Sequence, residues 1–131
     1  MDVKNITVNN DNYMFVCQSG DTKSGFKHEV TLFRNGCQIA ESVCYYINRT
    51  WEQYHYQSAM QTAVRNKMEY ISNRLLNRFK SEHGYSKLTA NRKKDFETLL
   101  NADTEYNNYK SLYDIISDYY KFMEVLRESR S

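Results

Sequence analysis

The chain has no proline, only four glycines, and no apolar run that approaches the length of a membrane span. Proline and glycine interrupt regular elements, so their scarcity favours long helices and strands over a fold built from loops. A helix needs about 20 apolar residues to cross a bilayer, and the first residues show no apolar signal segment. We therefore expect a cytoplasmic protein that makes no contact with a membrane.

Cysteine is scarce as well, and its three copies form no pattern. Cys17, Cys37 and Cys44 are odd in number and show no Cys-x-x-Cys spacing, which argues against a disulfide framework or a zinc site. Reduced thiols are the rule in the cytosol. We expect all three thiols to be reduced and most of them to be buried.

Sequence motifs for catalysis and cofactor binding are also missing. The chain contains no P-loop, GxGxxG or HExxH pattern, and His28, His55 and His83 lie far apart. His28 falls on the inner face of a predicted hairpin with no nucleophile or metal ligand expected beside it, so we interpret it as a structural histidine. A hydrolase site near His28 is a weaker option. We expect a protein that is not an enzyme and has no catalytic residues, cofactor or metal.

Tyrosine, by contrast, is abundant, with 12 copies against one tryptophan in 131 residues. A chain of this length is most simply one domain, and its aromatic content of 15% argues against disorder. One buried stripe on each helix cannot absorb so many tyrosines. Because tyrosine is enriched at protein contacts, we expect some of these rings on an interaction surface, and a homodimer remains open.

The first 47 residues show the alternation of apolar and polar residues that is typical of strands. Predicted strands cover residues 5–8, 13–19, 26–34 and 37–47, separated by a turn at 9–12, a loop at 20–25 and the Asn35-Gly36 turn. A two-residue turn at Asn35-Gly36 predicts four inward-facing pairs, namely Leu32 with Ile39, Val30 with Glu41, His28 with Val43 and Phe26 with Tyr45. The solvated face is predicted to carry Lys27, Glu29, Thr31, Gln38 and Ser42.

The remaining residues show helical periodicity. Apolar residues recur every three or four positions at Tyr56, Met60, Val64, Met68, Ile71, Leu75 and Phe79. Thr50 and Gly84 fit the two ends of this helix, Thr89 fits the start of a second helix, and Asp103 or Thr104 fits the start of a third. We predict a single α+β domain over residues 1–131. It has a small antiparallel sheet of three to four strands in 1–47, then a long helix at 50–83, a short one at 90–101 and a second long one at 104–128.

Charge is distributed unevenly along the chain. Residues 65–94 hold nine basic and two acidic side chains, a net charge of +7, whereas residues 95–131 have a net charge of −4. The basic segment can be a nucleic-acid site formed by Arg74, Arg78, Lys87, Arg92, Lys93 and Lys94, with Tyr70 or Tyr85 stacking on a base. It can also be a solvated face that the acidic last helix partly neutralises. We favour the solvated face, because the pI of about 8.4 is below that of dedicated nucleic-acid binders.

The acidic last helix has a second interpretation. A row of carboxylates on a rigid helix can imitate a phosphate backbone and occupy a nucleic-acid channel in another protein. The partner-binding residues that we predict there are acidic or aromatic. They are Glu105, Tyr109, Tyr113, Asp114, Asp118 and Tyr120.

A run at the start of the long helix resembles known proteins. Residues 46–58 read Tyr-Ile-Asn-Arg-Thr-Trp-Glu-Gln-Tyr-His-Tyr-Gln-Ser, with Phe-Lys-His-Glu-Val at 26–30 and Gly-Tyr-Ser-Lys-Leu-Thr at 84–89. Over about residues 26–97, this combination resembles small proteins encoded by phages and mobile elements of low-GC Gram-positive bacteria. No catalytic residue is carried over by the resemblance.

Phage-encoded proteins of this kind include inhibitors of host defence, among them anti-CRISPR proteins directed at Cas9. The resemblance therefore implies a non-enzymatic inhibitor inside a bacterial host cell. Its partner would be a host defence protein such as a Cas nuclease, with or without guide RNA, whose access to nucleic acid it blocks. The alternative is a nucleic-acid-binding accessory protein that uses residues 65–94.

Overall fold

The computed structural model describes residues 1–46, 52–118 and 122–124. One antiparallel sheet contains β1 (Asp2–Val8), β2 (Asp11–Thr22), β3 (Gly25–Arg34) and β4 (Cys37–Tyr46), in that spatial order. The helices that follow are α1 (Glu52–His83), α2 (Ala90–Ala102) and α3 (Thr104–Ser117). The predicted α+β class is confirmed. Nowhere in the described residues does a helix reach the length and hydropathy of a transmembrane span.

Two tight turns predicted from asparagine and glycine join neighbouring strands. Asn9 and Asn10 have φ angles of 51° and 70°, and Asn35 and Gly36 have φ angles of 49° and 87°. Positive φ at both central residues is the geometry of the two-residue hairpin turn that these residue types favour. The loop predicted at 20–25 is wrong, because β2 and β3 continue as strands to a two-residue turn at 23–24.

The antiparallel pairing of β3 with β4 contains one extra residue close to its turn. Phe33 pairs with Gln38, as the two-residue turn requires, but Leu32 pairs with Ala40, so Ile39 forms a β-bulge. The predicted partners of four β3 residues are therefore wrong by one position. Leu32, Val30, His28 and Phe26 pair with Ala40, Ser42, Cys44 and Tyr46.

Because side chains alternate between the two faces of a strand, the extra residue exchanges the inner and outer faces of the remainder of β4. Ser42, predicted on the solvated face, is only 6% exposed, whereas Val43 and Tyr45, predicted in the core, are 46% and 71% exposed. The outer face of this edge strand thus carries a valine and a tyrosine that a regular hairpin would bury.

The core lies between the inner face of the sheet and the two longer helices. α1 packs against β3 and β4, and α3 packs against α1. The apolar stripe predicted on the long helix is confirmed, since Met60, Val64 and Ile71 are fully buried and Met68 and Leu75 pack at its margin. Removal of this apolar surface from water is the main favourable term that holds α1 on the sheet.

The helix ends follow the predicted capping residues where the structure describes them. Gly84 ends α1 with a φ of 69°, in the left-handed region that favours glycine. The side chains of Thr89 and Asp103 accept hydrogen bonds from backbone N–H groups at the starts of α2 and α3. The cap predicted at Thr50 lies outside the described residues.

The last helix is shorter than predicted. α3 ends at Ser117 rather than near residue 128, because the backbone of Asp118 is extended, with φ −89° and ψ 107°. The Phe122 N–H then donates to the Asp118 carbonyl at 2.8 Å, and residues 122–124 are helical again. Beyond the interruption, Phe122 is 1% exposed and belongs to the core.

The three cysteines are free, and they differ in their environment. Cys17 is buried, and burial raises the pKa of its thiol to about 12. Cys44 is partly buried, whereas Cys37, beside the β3–β4 turn, is exposed. The expectation of mostly buried thiols therefore holds for Cys17 and in part for Cys44.

Arg34 connects the ends of the hairpins to α3. Its guanidinium donates to the Asp11 carboxylate at 2.7 Å and to the Tyr109 hydroxyl at 3.2 Å. The Asn35 side-chain amide donates to the other carboxylate oxygen of Asp11 at 2.8 Å. The hydrogen bond from Asn35, and then the one from Arg34, lower the pKa of Asp11 below its ordinary value.

We expect the Asp11 carboxylate to stabilise the fold at neutral pH and to lose this effect in acid. Because its pKa is lowered in the folded chain, the contribution is present above the ordinary aspartate pKa of about 3.9 and is lost as the pH falls through the lowered value. Urea unfolding at a series of acidic pH values should show a smaller loss of the free energy of unfolding for Asp11→Asn than for wild type. Asp95→Asn, at an exposed position of α2, should keep the wild-type dependence.

Candidate interaction surfaces

An aromatic cluster joins the far end of α1 to α2. The Phe79 ring lies 4.5 Å from His83 and 5.8 Å from both Tyr85 and Phe96, measured between ring centroids. The Arg92 guanidinium lies 3.8 Å from the centroid of the Tyr85 ring, within the range of a cation–π contact. Arg92 therefore covers a face of Tyr85, and a nucleic-acid base could stack on that face only by displacing it.

Four of the six predicted nucleic-acid residues lie at this end of the molecule. Lys87, Lys93 and Lys94 are exposed, and the Arg92 guanidinium donates to the Lys87 carbonyl at 3.2 Å. Within the described ranges, no carboxylate approaches these four cations to within 4.0 Å. We call Lys87, Arg92, Lys93 and Lys94 the basic cluster.

The other two predicted nucleic-acid residues are in ion pairs. Arg78 pairs with Glu82 one turn later on α1, at 2.9 Å, and Arg74 pairs with Glu105 of α3 at 3.6 Å. Both pairs are largely exposed, and such pairs contribute little to stability. Among the described residues, the predicted neutralisation of the basic segment by the last helix is limited to the pair of Arg74 with Glu105.

Some predicted partner-binding residues are unavailable for a surface contact. Tyr109 is 1% exposed and accepts the hydrogen bond from Arg34, so it belongs to the core. Glu105 is partly buried and engaged with Arg74. Tyr120 lies outside the described residues.

The remaining three predicted partner-binding residues stay together near the end of α3. Asp114 and Asp118 are exposed, and Tyr113 is half-buried beside them. Asp114 is in the last turn of α3 and Asp118 is the residue that follows its end, so the two residues are roughly one helical turn, about 6 Å, apart. We call Tyr113, Asp114 and Asp118 the acidic surface.

A groove that the sequence does not reveal lies between β4 and α1. It has a volume of about 290 Å³ and is lined by Ile39, Ala40, Glu41, Asn66, Lys67 and Tyr70. Tyr70 is 59% exposed, and the Lys67 ammonium and Arg74 guanidinium lie 5.1 and 6.0 Å from the centroid of its ring. The Asn66 amide donates to the Glu41 carbonyl at 3.5 Å. The groove starts at the bulge, and the bulge has no signal in the hairpin sequence.

A partly buried hydrogen-bond network surrounds His28, which is itself 0% exposed. The Nδ1 atom of His28 lies 2.8 Å from the Ser19 hydroxyl, which is 2.6 Å from the Tyr56 hydroxyl. The Nε2 atom of His28 lies 3.4 Å from Nδ1 of His55, and the His55 ring stacks on Tyr46 with centroids 3.6 Å apart. The expectation that no nucleophile or metal ligand lies beside His28 is therefore wrong.

This network joins β2 and β3 to α1 inside the molecule. A serine hydroxyl bonded to an imidazole is the pair from which nucleophilic sites are built, and the adjoining rings can pass a proton. Among the described residues, no group of three or more His, Cys, Asp or Glu side chains is arranged to hold a metal ion. The predicted strand 13–19 already places Ser19 on the same face as Cys17, but the pairing of Ser19 with His28 depends on the two-residue turn at 23–24, where the sequence predicted a longer loop.

Replacement of Ser19 by alanine tests the contribution of the network to stability. The change removes the hydrogen bonds to His28 and Tyr56, each worth about 1 kcal/mol, so we expect the free energy of unfolding to fall by about 2 kcal/mol. Urea unfolding followed by circular dichroism measures this difference. Ser24→Ala, in the exposed β2–β3 turn, should leave the stability unchanged. Equal stability of Ser19→Ala and wild type would contradict the assignment.

Comparisons of the chain with protein-family models, with curated proteins and with solved structures find no match.

Proposed function

We propose that this protein is a non-enzymatic, phage-type inhibitor that binds a host defence protein and blocks its access to nucleic acid. The expected target is a CRISPR-Cas nuclease such as Cas9, because residues 26–97 resemble proteins of phages and mobile elements, which include such inhibitors. The resemblance suggests the class of partner, and the surface of α3 suggests how binding occurs.

The exposed acidic surface is the observation that carries this proposal. Asp114 lies on the exposed face of α3, Asp118 directly follows the end of that helix, and the opposite face is anchored in the core by Leu112 and Ile116. In the described part of the chain, Asp114 has no lysine or arginine within 4.0 Å. A pair of exposed carboxylates at the end of an anchored helix complements the positively charged channel in which a Cas nuclease holds its guide–target duplex.

The direct test is inhibition of guided DNA cleavage by purified Cas9. We expect the wild-type chain to bind the nuclease and inhibit cleavage, and we expect Asp114→Lys with Asp118→Lys to raise the half-inhibitory concentration by about 10-fold or more. The charge reversal replaces attraction to the basic channel by repulsion, so the association rate should fall and depend less on salt.

A matched control changes the net charge by the same amount elsewhere. Asp95→Lys with Glu97→Lys alters two exposed carboxylates of α2 and should inhibit like wild type. If the two double substitutions weakened inhibition equally, overall charge and not the acidic surface would govern binding. Failure to inhibit Cas9, together with a pull-down from host lysate that recovers no nuclease or other defence component, would overturn the proposal.

A second candidate function is direct binding of single-stranded nucleic acid by the basic cluster. The observation that favours it is the exposure of Lys87, Lys93 and Lys94 without carboxylate partners among the described residues. Such cations can neutralise phosphates and release counterions. Arg92, already seated on Tyr85, supplies a planar group on which a base can stack.

Salt-dependent gel shifts with a single-stranded oligonucleotide test this candidate. Each phosphate contact contributes a slope of about −0.7 in log affinity against log salt, so Arg92→Glu, Lys93→Glu and Lys94→Glu together should remove about two units of slope and most of the affinity. Lys23→Glu with Lys110→Glu changes two exposed positions outside the cluster. This variant should retain most of the salt slope and most of the affinity. Inhibition of Cas9 by the triple variant should persist if the acidic surface is responsible for it.

A further inference from the structure

The free edge of β4 and the adjacent face of α1 form the two walls of a groove. β4 pairs with β3 on one side, and no described strand pairs with its other side. Tyr70 and Lys67 of α1 stand opposite Ile39 and Ala40 across the groove of about 290 Å³. A strand edge flanked by a helix is the arrangement in which several domain families bind an extended peptide as an additional strand.

Backbone groups of β4 are directed into this groove. The Glu41 carbonyl accepts a hydrogen bond from the Asn66 side chain of α1, so residue 41 turns its peptide groups away from β3. Backbone direction alternates along an antiparallel strand, and Val43 and Tyr45 therefore also present their N–H and carbonyl groups to the free edge. Ser42 and Cys44 direct theirs to β3.

The Asn66 amide occupies the position that a backbone N–H of an added strand would take. Its distance to the Glu41 carbonyl is 3.5 Å, at the long limit for a hydrogen bond, so an incoming N–H can replace it with little loss. The bulge at Ile39 separates this stretch of edge from the turn.

The charge of the helix wall selects the occupant. Lys67 and Arg74 flank the exposed ring of Tyr70. Glu41 is the acidic residue of the strand wall, and alternation along β4 directs its side chain to the outer face of the sheet. A peptide strand that places an acidic side chain beside Tyr70 would meet the Lys67 ammonium, whereas the Arg74 guanidinium is already paired with Glu105. The ring itself supplies a flat apolar contact.

We propose that this groove binds an extended acidic peptide segment of another protein by β-strand addition to residues 41–45. The proposal does not depend on the function proposed above, since the groove shares no residue with the acidic surface. The basic cluster also lies apart, because Lys87 follows the end of α1, which is about 20 Å of helix beyond Tyr70.

Selection from a displayed library of random peptides of about twelve residues tests the proposal without a guess at the partner. We expect enriched peptides to be acidic, rich in β-branched residues and free of proline in their centre. An enriched peptide, synthesised with a fluorescent label, should slow the amide exchange of Glu41, Val43 and Tyr45. The amides of Ser42 and Cys44, already directed to β3, should change little.

Two variants locate the peptide on the edge and on the helix wall. Val43→Pro removes an N–H that faces the free edge, a position at which an edge strand tolerates proline, and it should abolish binding while circular dichroism stays unchanged. Lys67→Glu should weaken an acidic peptide by about 10-fold. Lys93→Glu makes the same charge change in the basic cluster and should leave the affinity within about twofold of wild type.

Several outcomes would overturn the proposal. These are the absence of enriched peptides, enrichment of basic or proline-rich peptides, and equal weakening by Lys67→Glu and Lys93→Glu. If Val43→Pro disturbs the sheet, the exchange pattern of the wild-type chain decides, and uniform protection of residues 41–45 contradicts strand addition. Sedimentation that shows pairing of this edge with a second copy of the chain, together with no peptide binding, would also contradict it.

Discussion

The extra residue at Ile39 decides which side chains of the last strand face the helices. Without it, Val43 and Tyr45 would turn inward, and burial of a large apolar side chain contributes about 1.5–3 kcal/mol. With it, Ser42 and Cys44 face inward instead. Tyr46 also reaches the inner face, where its ring stacks on His55. The register that follows the bulge therefore has two consequences. It places Tyr46 in the network around His28, and it exposes Val43 and Tyr45 on the outer face of the edge strand.

Because α1 is long, the network around His28, the groove and the basic cluster lie at different points along it. From Tyr56 to Phe79 the helix rises about 35 Å. Its first turns are joined to the sheet through Ser19 and His28, and its middle forms a wall of the groove. Its last turn is held by Phe96 of α2 rather than by the strands. The basic cluster is thus supported by a small aromatic core of its own, away from the main one.

Features that depend on neighbours in sequence could be predicted, and features that depend on packing could not. Asn35-Gly36 and Gly84 require positive φ, and Thr89 caps the residues directly after it, so each has a local physical cause. The bulge at Ile39 has no such local cause in the hairpin sequence. The interruption at Asp118 and the burial of Phe122 beyond it likewise have no local pattern that marks them. The same holds for the candidate surfaces. The charged residues of the basic cluster and the acidic surface could be read from the sequence, whereas the groove depends on how β4 and α1 pack.

Charge separation, rather than net charge, governs how this molecule meets a charged partner. The net charge is only +2, yet residues 65–94 carry +7 and residues 95–131 carry −4. The pair of Arg74 with Glu105 is exposed and neutralises little of this difference. Contacts through the basic cluster or the acidic surface must therefore weaken as salt screens them. Strand addition at β4 combines the contact with Lys67 with backbone hydrogen bonds, which salt screens far less, so the affinity of the groove should fall less steeply with salt than that of either charged surface.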